Sequence, residues 1–96
     1  MDVCVAREIR ERLSNALEDY PRSPDHLSTG YLEVCLPWRH GSLARRTEAV
    51  ASVLAELRSA GEVECVRIEA RDHEVQRYWR ITPAGIAALE SAKEAP

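Results

Sequence analysis

Five residues suited to gripping an anion fall within eight positions of this chain: Arg39, His40, Ser42, Arg45 and Arg46. An arginine offers a planar fork of N–H donors that matches a phosphate or the O6/N7 edge of guanine. Ser42 stands just before an apolar-periodic run, where a helix should begin. A helix start directs free N–H groups and the positive end of its dipole outward. A second group follows further along: Arg71, His73 and Arg77, with Arg67 beside them. Residues 39–80 hold eight basic residues, all arginine, against seven acidic ones, whereas residues 1–38 hold four basic and seven acidic. The 96-residue chain thus carries a formal charge of −3 with its positive charge concentrated in the middle. That balance excludes a polybasic coat protein or histone-like compactor and leaves room for a local cationic face.

Other chemistries find no foothold. His40 and Ser42 are close, but no acidic orienter and no nucleophile-elbow glycines accompany them. The four glycines form no phosphate-cradling loop. Cys4, Cys35 and Cys65 are odd in number and widely spaced, which argues against a disulfide framework. With His26, His40 and His73 they lack the closely spaced ligand pair of a zinc site. The expectation is a protein that is not an enzyme and needs no metal or cofactor. No apolar run approaches the roughly 18 residues of a membrane span. The start, MDVCVAREIRER, lacks the basic-then-apolar pattern of a secretory signal, so a cytoplasmic location is expected.

Hydrophobic spacing shows which elements must position these groups. Val5/Ala6, Ile9, Leu13, Ala16/Leu17 and Tyr20 form a helical stripe with Asp2 as N-cap, stopped by Pro21. Residues 28–36 read as a short helix capped by Ser28 or Thr29, with Tyr31, Leu32, Val34, Cys35 and Leu36 as its apolar side; Tyr31 and Val34 also fit a strand. Pro37–Gly41 is a loop. A third helix starts at Ser42, carries Leu43, Thr47, Val50, Leu54 and Leu57 on one face, widened by Val53, and stops at Gly61. Val63–Ala70 and Val75–Thr82 alternate apolar and polar residues about the tip Arg71–Glu74, the signature of an antiparallel pair. The alternation slips near Cys65/Val66, which suggests a bulge. Thr82-Pro83 opens a last helix with Ile86, Leu89 and Ala92 on one face.

Helix, short helix, longer helix, hairpin, helix is an α+β order. It fits one domain over residues 1–96, a winged helix-turn-helix with a three-helix core, a two-stranded wing and a C-terminal helix. The runs LAELRSAGEVE (54–64) and RYWRITPAG (77–85) resemble the recognition-helix end and the second wing strand of MarR- and PadR-type transcriptional regulators. The resemblance covers about residues 42–90. It implies a homodimeric, sequence-specific binder of double-stranded DNA, with the third helix in the major groove and the wing on phosphates. Arg39, His40, Ser42, Arg45, Arg46, Arg71, His73 and Arg77 are the expected contacts.

Each residue also has a plainer role. Arg45 can pair with Glu48, three residues on along the same helix. Trp79 and Tyr78 fit a core ring and an edge ring better than a base-stacking platform. Trp38 either anchors its loop or meets a protein partner. The stripe on the first helix and the last helix serve either as dimer interface or as core. The loop 36–41 is longer than the usual turn of about 3–4 residues. That loop and the acidic total motivate the alternative, a winged helix used for protein–protein contact, for example a phage or mobile-element accessory or inhibitory factor. The DNA reading requires the guanidinium groups to converge into one cationic strip.

Overall fold

Ser28 and Ser42 start the two middle helices by the same device. The Ser28 Oγ accepts the Tyr31 N–H at 3.1 Å, and the Ser42 Oγ accepts the Arg45 N–H at 3.4 Å. The computed structural model describes residues 2–18, 26–36 and 42–94, with the side chains of Arg71 and Glu94 outside that description. Its order is α1 (Val3–Glu18), β1 (Leu27–Ser28), α2 (Thr29–Cys35), α3 (Leu43–Ser59), β2 (Val63–Arg71), β3 (Glu74–Ile81) and α4 (Pro83–Glu94). The strands form an antiparallel sheet in the order β1-β3-β2. Among the described residues no helix is long and apolar enough to cross a membrane.

The stripe on α1 is core. Val5, Ala6, Ile9, Leu13 and Ala16 are buried, and α1 packs on α3, α4 and β3. Asp2 caps it by accepting the Val5 N–H at 3.1 Å, and Arg7 pairs with Glu11 along its outer side. Tyr20 lies outside the described residues. Leu32 and Leu36 of α2, Val50, Val53, Leu54 and Leu57 of α3, and Val63, Trp79 and Ile81 of the sheet complete the core. Thr82 caps α4 by accepting the Gly85 N–H at 3.2 Å, and Pro83 takes the first helical position.

Four expectations are corrected. The sheet has three strands, because the two residues of β1 pair with Tyr78 and Trp79; a two-residue strand has no periodicity to read. In α2, under two turns long, only the Leu32–Leu36 row faces the core, and Tyr31 and Val34 are exposed. The first turn of α3 overhangs the core, so Leu43 is 53% exposed and Thr47 is exposed too, its hydroxyl donating back to the Leu43 carbonyl at 2.9 Å. Ala92, in the last turn of α4, is likewise exposed. The slip at Cys65/Val66 is real: the register shifts there, with Cys65 opposite Trp79 and Arg67 opposite Tyr78. The bulge keeps Val63 and Ile81 facing the core. Beyond it the hairpin projects from the body, leaving Ile68 60% and Val75 57% exposed.

Gly85 of α4 sits where the turn after α3 leaves no room for a side chain. A Cβ there would collide with the Glu62 carbonyl oxygen and lie 2.6 Å from Ile81 Cγ1. Because backbone cannot swing aside, Gly85→Ala is expected to destabilise the fold by about 2–3 kcal/mol despite the better helix propensity of alanine. Urea denaturation followed by circular dichroism measures this.

Candidate nucleic-acid interface

Strand parity sorts the hairpin arginines onto two faces. Arg67, Glu69, Tyr78 and Arg80 share one face with Glu64, and every described arginine there has a counter-charge. Arg67 pairs with Glu69 at 3.1 Å and lies over the Tyr78 ring, 4.2 Å from its centroid. The Tyr78 hydroxyl donates to Glu69 at 3.1 Å, and the His26 ring meets Tyr78 edge-on. Arg80 pairs with Glu64 at 2.8 Å. This face is electrically near balance.

The opposite face holds Ile68, Val75, Arg77 and Trp79. Arg77 is exposed and, among the described residues, forms no ion pair. It borders a groove of about 430 Å³ between β3 and the outward side of α3, where Ala51, Ala55 and Arg58 line the far wall and Trp79 the floor. The Trp79 indole N–H donates to the Thr29 hydroxyl at 2.7 Å, and that hydroxyl donates to the Arg77 carbonyl at 3.3 Å. A bond from the Gly30 N–H to Gln76 Oε1, 3.3 Å, adds a third tie between the start of α2 and β3. These bonds hold the groove's floor in place. Arg58, exposed and also without an ion pair among the described residues, is not among the contacts expected from the sequence. The signal was there: Ala51, Ala55 and Arg58 lie on one side of α3 at spacings of four and three.

The expected site is only partly assembled. Arg45 is exposed at the start of α3 and does not pair with Glu48. Ser42 is exposed, with its oxygen committed to the cap. His73 is exposed on the two-residue tip beside Asp72, whose φ of 52° suits a tight hairpin turn. Trp38, Arg39, His40 and the Arg71 side chain lie outside the described residues. Arg46 departs from its expected role. It is half-buried, its Nη1 donates to the Leu36 carbonyl at 3.3 Å, and its Nε is buried without a partner. It ties the end of α2 to α3. Three members of the expected strip are committed elsewhere, Arg46 to the Leu36 carbonyl, Arg67 to Glu69 and Arg80 to Glu64; of the described arginines, Arg45 on the outward side of α3 and Arg58 and Arg77 on the groove beside it are left to form a cationic face.

Elsewhere, the Tyr31 phenol is held above its ordinary pKa, first by its hydrogen bond to the Cys35 thiol. No group of three or more His, Cys, Asp or Glu among the described residues could hold a metal. Comparison with protein-family models, curated proteins and solved structures returned no match.

Arg46→Ala is expected to lower stability by about 1 kcal/mol, since the Leu36 carbonyl loses its donor while the orphaned Nε disappears with the side chain. Thermal denaturation checks this; an unchanged melting temperature would place Arg46 among the solvated charges.

Proposed function

We propose that this chain is a winged helix-turn-helix domain that binds double-stranded DNA, in the manner of the MarR- and PadR-type regulators it resembles. The order α1-β1-α2-α3-β2-β3 supports the fold: α2 and α3 are the helix-turn-helix and the β2–β3 hairpin is the wing. The carrying observation is where the exposed arginines without an ion pair among the described residues stand. Arg45, Arg58 and Arg77 border the outward side of α3 and the groove beside it, whereas Arg10, Arg67 and Arg80 are paired with glutamates. Arg12, also without an ion pair among the described residues, stands apart on α1.

In this reading the outward face of α3 enters the major groove, led by Arg45 at its start. Small residues Ala51, Ser52 and Ala55 allow close approach to base edges. Arg58 and Arg77 hold phosphates on either side of the groove between helix and wing. Glu48, exposed on the same face, opposes phosphate and fits an exocyclic amine, that of cytosine above all. It therefore contributes selectivity at the expense of affinity.

Two phosphate contacts predict a shallow salt response, with log K falling against log salt at a slope of about −2. Arg58→Ala and Arg77→Ala should each weaken duplex binding and reduce that slope by about 1, whereas Arg45→Ala should weaken it chiefly by relaxing base selectivity. Fluorescence anisotropy with a mixed-sequence duplex, titrated with salt, measures both. A slope near zero, or affinity unchanged in the triple variant, removes the DNA reading and favours a protein partner for the same face.

A further inference from the structure

The surfaces the sequence offered for dimerisation are used within one chain. The α1 stripe is buried, α4 packs on α1, Leu89 of α4 is buried and Ile86 packs against the core. The exposed apolar residues of the hairpin, Val66, Ile68 and Val75, stand elsewhere, on the part that projects from the body. There the sheet order β1-β3-β2 leaves β2 as an edge, with no strand among the described residues on its other side.

That edge has a defined pattern. The hairpin tip is two residues, closed by the pair Arg71–Glu74. In such a hairpin the closing pair is hydrogen-bonded and the pairs then alternate. Arg67 and Glu69 therefore turn their backbone groups toward β3, while Ile68 and Ala70 turn theirs to the open side.

We propose that β2 pairs antiparallel with β2 of a second copy, centred on Ile68, so that two sheets join into one. The occupant follows from charge complementarity. The run Val66-Arg67-Ile68-Glu69-Ala70 pairs with its own reverse, apolar on apolar and arginine on glutamate. Centred on Ile68, each Arg67 faces Glu69 of the other copy, each Val66 faces Ala70, and the two Ile68 side chains meet on the apolar face. A centre one residue away, on Glu69, sets Glu69 against Glu69 and Arg67 against Arg71, where cross-strand like charges repel. An edge guarded by charges of a single sign turns away its own copies. This one alternates in sign and attracts them in one register. The bulge at Val66 limits the pairing to the distal half of β2.

Sedimentation velocity on the full chain tests this without reference to DNA. The wild type is expected to show a concentration-dependent monomer–dimer equilibrium. Arg67→Glu and Glu69→Arg should each weaken the dimer by about tenfold or more, because both cross-copy pairs become repulsive. Mixing the two variants should restore dimer. The introduced glutamate of one then faces the introduced arginine of the other, and the unchanged Glu69 of the first faces the unchanged Arg67 of the second. Ile68→Pro removes an N–H that points away from β3, so it should abolish the dimer and leave the circular dichroism melt close to wild type. A chain that stays monomeric at its highest soluble concentration overturns the proposal. So does a dimer indifferent to these variants, or variants that weaken it and fail to rescue one another. None of them touches Arg45, Arg58 or Arg77, so a failure here is distinct from a failure to bind duplex.

Discussion

Two residues, Gly61 and Glu62, hold the molecule's parts in register. Gly61 adopts φ +73°, a conformation glycine takes without a Cβ penalty, and lets the chain reverse after α3. The Gly61 N–H then donates to the Arg58 carbonyl and the Glu62 N–H to the Leu57 carbonyl, closing the helix end in a Schellman arrangement. The Glu62 carbonyl accepts the Thr82 N–H at 3.0 Å, and the Thr82 hydroxyl donates to the Gly61 carbonyl at 2.6 Å. The Glu62 carboxylate takes Arg10 of α1 at 2.6 Å, with the two side chains only 14% and 13% exposed. An ion pair so far from water adds little net stability, yet losing either partner strands the other, so it serves mainly to fix position. Gly85 of α4 lies too near the same Glu62 carbonyl to carry a Cβ. One turn thus fastens α1, α3, both long strands and α4. The angle between α3 and the hairpin, and with it the groove beside Arg77, depends on this turn.

Charge sorting on the hairpin follows from period two and one bulge. Arg67 and Glu69 are two residues apart, so they share a face and find each other; Glu64 and Arg80 are cross-strand partners and do the same. Arg77 falls on the other parity. Its neighbours there are Ile68, Val75 and Trp79, none of which can neutralise it. A count of arginines over residues 39–80 cannot see this, because the sum is the same whichever face each one takes. An acidic total is compatible with an exposed Arg77 because Glu62, Glu64 and Glu69 are paired with Arg10, Arg80 and Arg67.

What could be read in the sequence was what local chemistry determines. Ser42, Thr82-Pro83 and Gly61 mark their helix ends because capping involves neighbours in sequence. The bulge near Val66 was visible as broken alternation. What could not be read depended on where the core ends. Leu43 and Thr47 continue the α3 stripe on paper, but both stay exposed where the helix overhangs the body. Arg46 looked like a solvated flank because its acceptor, the Leu36 carbonyl, belongs to another helix whose placement no periodicity specifies. Arg58 is not legible as a contact in the sequence because a groove wall exists only once β3 has been laid beside α3.

The two proposals bear on each other through geometry. A two-fold axis at Ile68, perpendicular to the joined sheet, keeps the Arg77 faces of both copies on one side. Val63, where each hairpin leaves its body, lies five residues from Ile68 along β2. With about 3.3 Å per residue, the two Val63 residues would stand roughly 30 Å apart. One turn of duplex is about 34 Å, the spacing at which two-fold binders present their recognition helices. A single copy has few uncompensated cations to offer, with Glu48 among them, and would hold DNA weakly. Two copies joined at the hairpin convert the second contact into an intramolecular one, which multiplies affinity without adding charge to either. A domain whose proposed duplex contacts are Arg45, Arg58 and Arg77 therefore has most to gain from pairing, and all three lie off the edge that would pair it.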